Sequence, residues 1–257
     1  MIHETATVHP EARLGDSVHV DPGAVIGADV VIGDGCRIGA HAVLEGPLQL
    51  GSNNVVGPHC ILGTPPQDRG YRGEPTRLEI GSDNVLREFV TVHRATTKED
   101  GVTRIGDHNY LMAYSHVGHD CQLGNHITLA NAATLAGHVI VGDHVNIAGL
   151  CAVHQFARIG RFAMLGGGTM APMDILPYAM ASGNHARLFG VNRRGLQRNG
   201  FSADSIQQIR QAYRLLFRKG LRLQDAVAAI AADESLGSAE VQHLLEFIRT
   251  TQRGITR

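Results

Sequence analysis

The sequence has almost no net charge: 23 lysines and arginines face 24 aspartates and glutamates, for a formal charge of -1 and a pI near 6.9. A chain so balanced has no global field, and the charge total supports neither nucleic-acid binding nor a membrane-surface role. Any apolar run approaching a bilayer span is also lacking, which argues against stable membrane insertion. The first residues, Met1-Ile2-His3-Glu4, have neither the basic start nor the apolar core of a signal peptide, and a repeat that begins at Ile2 leaves no room for a leader. Tryptophan is absent and cysteine is scarce, at four residues.

What the chain does have is a cadence. Aliphatic residues recur at every sixth position, through Ile2, Val8, Leu14, Val20, Ile26, Ile32, Ile38, Leu44, Leu50, Val56 and Leu62, and again from Ile105 through Leu111, Val117, Leu123, Leu129 and Leu135 to Leu165. A period of six is neither helical nor that of an alternating strand, so it marks a repeat architecture. Hexapeptide repeats predict a left-handed parallel β-helix, a triangular prism with one hexapeptide per face and about eighteen residues per coil. With 43% hydrophobic residues a core is available, and the length allows one or two domains.

Other residues fall into the same phase. Of the 31 glycines, many directly follow the aliphatic residue (Gly15, Gly33, Gly39, Gly118, Gly142), where a prism corner predicts positive φ. Cys36, Cys60, Cys121 and Cys151 sit four places after it, a slot that Ala24, Ala42 and Ala133 fill elsewhere. They read as interior packing residues in a reducing, cytoplasmic compartment, with no disulfide.

Residues eighteen apart should stack at about the 4.8 Å spacing of adjacent strands. His119 then lies under Gly137 and Gly137 under Gln155; Gly118, Ala136 and His154 form a second column, and Asp120, His138 and Phe156 a third. With His116 nearby, histidines and a carboxylate gather beside a glycine whose N–H no side chain screens. His119 is the candidate general base and Asp120 its orienting partner. The Gly137 N–H is the candidate oxyanion donor for an acyl transfer. Neighbouring residues on a strand point to opposite sides, so a direct His119–Asp120 pair requires a corner. His126 and His144, also eighteen apart, read instead as a surface ladder. Three close histidines also raise zinc chemistry, but no ligand geometry is evident and no metal or other cofactor is expected.

Two stretches leave the cadence, near 63–79 and 93–104, and read as loops that could wall a cleft. Beyond Leu165 the register decays. Ser202 can cap a helix ending near Lys219 with Gly220 as its stop; Gln224–Asp233 forms a second, and Ser238 can cap a third. The division expected is a β-helix over 1–184 and a small helical domain over 185–257. From Arg187 onward twelve basic residues stand against six acidic ones, which suits an acidic partner or phosphate ligand. A flat prism face with exposed apolar groups suggests a symmetric homo-oligomer.

The segments Ser115-His116-Val117-Gly118-His119-Asp120-Cys121, Leu135-Ala136-Gly137-His138, Ala152-Val153-His154-Gln155-Phe156, Ser182-Gly183-Asn184-His185 and Phe189-Gly190-Val191-Asn192 resemble those of the UDP-N-acetylglucosamine O-acyltransferases. The resemblance covers essentially the whole chain. It implies a cytoplasmic homotrimer with sites between neighbouring prisms. Each site would move a 3-hydroxyacyl group from acyl carrier protein to the glucosamine 3-hydroxyl of UDP-N-acetylglucosamine, the first step of lipid A biosynthesis. It also implies His119 as base, Asp120 as partner, Gly137 as oxyanion donor, and His116, His138, His154 and Gln155 as substrate contacts. Asp68, Asn192 and Arg198 match nucleotide-contact positions, and Gly167 matches an acyl-length position. The chain departs from the family pattern at Arg194, Asn199 and Gly70, all near the nucleotide positions. Two alternatives remain at this stage: the related N-acyltransferase, which would carry an extra N-terminal domain, and a non-catalytic β-helix scaffold.

Overall fold

The structure, a computed structural model, describes residues 1–218 and 220–257. Strands of mostly two residues alternate with tight turns and build three parallel sheets. One has nine strands, from Thr7–Val8 to Met170–Ala171, and one eight, from Arg13–Leu14 to Arg158–Ile159. The third has ten and begins at His19–Val20. As far as Met170–Ala171 consecutive strands lie in different sheets and every third one pairs, so the chain winds as a left-handed parallel β-helix. Val117 pairs with Leu135 and Leu135 with Val153, the eighteen-residue register expected from the cadence.

The periodic aliphatics form the interior. Leu111, Val117, Leu129, Leu135 and Ile147 are wholly buried, each contributing about 1.5–3 kcal/mol relative to exposure. All four cysteines are free and buried in the same interior. Burial pushes the Cys121 thiol up to about 12 and the Cys60 thiol to about 11, which excludes both as nucleophiles.

The glycine expectation is corrected. Positive φ belongs to the third residue after the aliphatic, non-glycine in most coils: Asp120 at 60°, His138 at 62° and Phe156 at 65°. The glycines that directly follow the aliphatic are needed for clearance instead. A Cβ on Gly33 would stand 2.7 Å from the Gly51 carbonyl carbon, and one on Gly118 2.8 Å from the Gly137 nitrogen. Left-handed backbone at a residue with a Cβ is unfavourable by about 1–2 kcal/mol. Inter-coil bonds such as His138 N–H to the His119 carbonyl at 2.9 Å help to offset it. The corner side chains also stack ring on ring. His126 lies 4.7 Å from His144 at an interplanar angle of 9°, as the ladder reading expected, and the column continues to His108 below and Phe162 above.

The two loops show as steps in register. Leu44 pairs with Leu62 at the usual interval, but Leu62 pairs with Val92 and Val92 with Val117 across inserted chain. The excursions run over 65–76 and 94–101, narrower than expected because strands Ile61–Thr64, Arg77–Ile80 and Val102–Ile105 extend the ladder into their roots. Arg94 ties those roots together: its guanidinium bonds the Gly63 carbonyl at 2.8 Å, the Gly46 carbonyl at 3.2 Å and the Glu45 carboxylate at 3.3 Å.

After strand Ala179–Ser182 the chain reverses into the antiparallel strand Arg187–Val191. Four α-helices follow: α1 (Arg193–Arg198), α2 (Ala203–Arg218), α3 (Leu223–Ala232) and α4 (Ala239–Arg249). Ser202 and Ser238 cap α2 and α4 as expected, through the Ser205 and Val241 N–H groups. The expected end of the first helix at Lys219 lies outside the described residues; Gly220 has φ of 66°. The short α1 carries no hydrophobic period of its own and was not expected. The helices dock on the last coil, where the Tyr213 hydroxyl donates to the Pro177 carbonyl at 2.6 Å and the Arg158 guanidinium lies 4.2 Å from the Phe247 ring centre. Among the described residues no helix is long and apolar enough to cross a membrane.

Candidate active site

Stacking brings His119, Asp120, Gly137 and His138 into one group. The His119 imidazole lies directly against Gly137, since a Cβ there would stand 2.5 Å from His119 Cε1 and 2.7 Å from Nε2. Glycine at 137 is therefore the space that the ring occupies. The left-handed turn at Asp120 removes the objection to a direct pair: instead of pointing away, its carboxylate swings back to place Oδ2 2.7 Å from His119 Nδ1. That bond assigns the proton to Nδ1 and leaves Nε2 as the basic nitrogen.

Asp120 is 1% exposed and fully engaged. Besides His119 it accepts the Thr96 N–H at 3.0 Å on Oδ1 and 3.1 Å on Oδ2, and the Thr96 hydroxyl at 2.8 Å on Oδ2; its own N–H donates to the Thr103 hydroxyl at 2.8 Å. Burial raises the pKa of such a carboxylate, but the bonds from His119 and Thr96 outweigh it and hold Asp120 below the usual range. A permanent anion beneath the imidazole both fixes its tautomer and stabilises it once protonated.

His138 stands edge-on to His119, with ring centres 5.1 Å apart at 90°. Its Nδ1 is 3.1 Å from Glu99 and its Nε2 3.6 Å from Asp120 Oδ2, and the Phe156 ring stacks on it at 4.4 Å. His119, Asp120 and His138 present ligating atoms within 4.8 Å of one another, close enough for an ion. His119 Nδ1 and His138 Nδ1 already bond to Asp120 and Glu99, which leaves their Nε2 atoms free, while Asp120 Oδ2 is occupied by His119 and Thr96.

The remaining expected residues lie at different distances from this centre. His116 bonds the Thr91 hydroxyl through Nδ1 at 2.7 Å and meets His93 edge-on. Burial, with the nearby His93 and His119, depresses its pKa to about 4, so at neutral pH it is an uncharged hydrogen-bonding group. His154 and Gln155 lie one coil further on and are exposed, with His154 Nδ1 3.0 Å from the Gln155 carbonyl. Asp68 sits on the first excursion, its pKa lowered by its bond to Lys98 on the second and by the Gly70 N–H. Asn192 caps α1 through the Gly195 N–H at 3.1 Å and donates to the Phe162 carbonyl at 2.9 Å, so its side chain anchors that helix. Arg198 is exposed in the last turn of α1. Gly167 is exposed, and a Cβ there would meet only the Gly149 carbonyl at an ordinary 3.6 Å, so the chain's own packing does not demand a glycine. Sequence reasoning missed Thr96, Glu99 and Thr103. The break in cadence that exposed the second loop was the available signal, but it names no residue.

The chain matches known proteins along its whole length. A family described as UDP-N-acetylglucosamine O-acyltransferase, domain 2, matches residues 174–256, and the bacterial transferase hexapeptide family matches 11–46. The chain is 50% identical over 259 residues to an acyl-[acyl-carrier-protein]--UDP-N-acetylglucosamine O-acyltransferase of Paraburkholderia phymatum, covering 100% of this chain and 99% of that one. It is 51% identical over 256 residues to the enzyme of that name from Halorhodospira halophila, with the same coverage. Among solved structures, the UDP-N-acetylglucosamine acyltransferase of Bacteroides fragilis superposes with a TM-score of 0.97 at 38% identity over 100% of both chains. That of Francisella novicida superposes with a TM-score of 0.97 at 36% identity, over 100% of this chain and 94% of the other. With relatives this similar from end to end, and the histidine patch assembled by the same repeat, the chain belongs to the UDP-N-acetylglucosamine O-acyltransferase family.

Proposed function

We propose that this chain transfers a 3-hydroxyacyl group from the thioester of acyl carrier protein to the glucosamine 3-hydroxyl of UDP-N-acetylglucosamine, beginning lipid A biosynthesis. The observation that carries the reading is the His119 imidazole seated against Gly137, with Nδ1 held by Asp120. His119 Nε2 accepts the proton of the sugar hydroxyl as its oxygen attacks the thioester carbonyl. The Gly137 N–H, free of any bond to another described residue, donates to the resulting oxyanion. Collapse breaks the carbon–sulfur bond, and the departing thiolate takes the proton back from His119. The carrier's free thiol and the ester of the sugar nucleotide are the products.

His116 and His138 line the approach as hydrogen-bonding groups, and the exposed His154, Gln155 and Arg198, with the half-buried Asp68, are available to substrate. Exposed Ile140 and Met180 on the prism faces and Leu150 and Phe156 at its corners favour burial against neighbouring copies, and a homotrimer puts the half-open site between two prisms. Glycine at 167 leaves room for the end of an acyl chain. Four unpaired, buried thiols accord with a cytoplasmic location.

The test is incubation of the protein with carrier thioesters of graded 3-hydroxyacyl length and with UDP-N-acetylglucosamine or its 3-amino counterpart, read by mass. Product is expected on the 3-hydroxyl sugar. Transfer confined to the 3-amino sugar would change the acceptor atom within the same reading; transfer only to the amine of an already acylated UDP-glucosamine, supplied as a third acceptor, would favour the N-acyltransferase, and transfer to none of the three the scaffold.

A further inference from the structure

The Asp120 carboxylate faces two basic side chains and has one oxygen to offer both. Oδ2 is 2.7 Å from His119 Nδ1 and 3.6 Å from His138 Nε2, and a carboxylate free to rotate would exchange one for the other. What fixes the choice comes from outside the prism. Thr96, 4% exposed on the second excursion, donates its N–H to both oxygens and its hydroxyl to Oδ2. The ionised carboxylate can only accept, so the single hydroxyl proton is directed at Asp120 Oδ2, while the hydroxyl oxygen accepts the Lys98 N–H at 3.2 Å. Three donations from one residue fix the plane of the carboxylate. In that plane Oδ2 completes its bonding with His119, and His138 Nδ1 is drawn the other way, to Glu99 on the same loop.

We infer that Thr96 is a positioning residue for the acyl transfer, acting through Asp120 to keep the His119 tautomer and ring orientation competent; the inference rests on His119 being the base. The inserted loop is thereby part of the catalytic apparatus. Its register step leaves the coil stack intact while delivering a hydroxyl to the carboxylate of the corner residue Asp120. Hydrogen bonds to a charged group are the strong ones, and losing one of three is expected to weaken the alignment without emptying the site.

The experiment compares Thr96→Val, which keeps the shape and removes the hydroxyl, with Thr96→Ser, which keeps the hydroxyl, measuring kcat and KM for both substrates in the full-length protein. Valine is expected to lower kcat about tenfold, the effect of one charged hydrogen bond, with KM for both substrates unchanged and serine restoring kcat. Full kcat in the valine variant overturns the inference. So does a serine variant as slow as valine, or a loss expressed only in KM, because mere loop packing would give those results. If the valine variant melts below the assay temperature, Thr96→Ala carries the same expectation. An unaltered chain without transfer activity removes the base itself and overturns both readings, whereas an active chain indifferent to Thr96 overturns this one alone.

Discussion

The coil stack and the 94–101 excursion meet at Asp120 and obey different rules. In the stack each residue's place follows from its remainder on division by six, and its environment is set by residues eighteen away, as with Val117, Leu135 and Val153. In the excursion nothing repeats, and positions depend on individual bonds: Arg94 to three partners at the roots, Thr96 to Asp120, Glu99 to His138 and Lys98 to Asp68. The stack holds the buried core and, in the proposed reaction, the reacting groups, to which the excursion adds their alignment.

That division predicts where stability resides. Leu135→Ala deletes a wholly buried side chain between two coils and is expected to lower unfolding free energy by about 3 kcal/mol, read by denaturant titration. A loss comparable to that of a surface substitution would show the coils to be far looser than the register implies.

A smaller effect is expected at His116, where stack and first excursion come together through His93, whose Nδ1 is 2.7 Å from the Pro65 carbonyl. With its folded pKa depressed from 6.5 to about 4, the folded state resists a proton that the unfolded chain accepts. Its contribution to stability is therefore full above pH 6.5, falls as the pH drops towards 4, and is absent below. His116→Gln should remove about 2 kcal/mol of the decline between pH 7 and 4, allowing for partial exposure. Parallel pH–stability curves for the two proteins would mean that the ring is better solvated than its surroundings suggest.

The smallest effect belongs to the excursion itself. Lys98 is 60% exposed where it meets Asp68, and Lys98→Ala should leave Tm within error of the unaltered chain while weakening the tie between the two loops. A clear fall in Tm would blur the distinction between the two regions.

The same contrast explains what was legible in the sequence. Period and phase sufficed for the β-helix, the interior cysteines, the His126–His144 ladder and the placement of His119 under Gly137, because in a repeat neighbours follow from arithmetic. The sequence pattern misassigned the conformational role of the glycines, since it cannot separate a residue that needs positive φ from one that needs clearance. The structure puts the left-handed turn at Asp120, and that turn is what permits the pair with His119. Thr96 and Glu99 were illegible because an aperiodic loop offers no register from which to compute a contact. Short α1 was equally hidden: its N-cap Asn192 is held by the Phe162 carbonyl, thirty residues away.

The most direct test of the account is kcat for His119→Ala, with oligomeric mass and Tm as controls for the fold. Loss of a general base that has no substitute predicts a fall of about a thousandfold with the assembly intact. A variant that keeps its fold and turns over within about tenfold of the unaltered protein, the range left to mere positioning, would contradict the assignment.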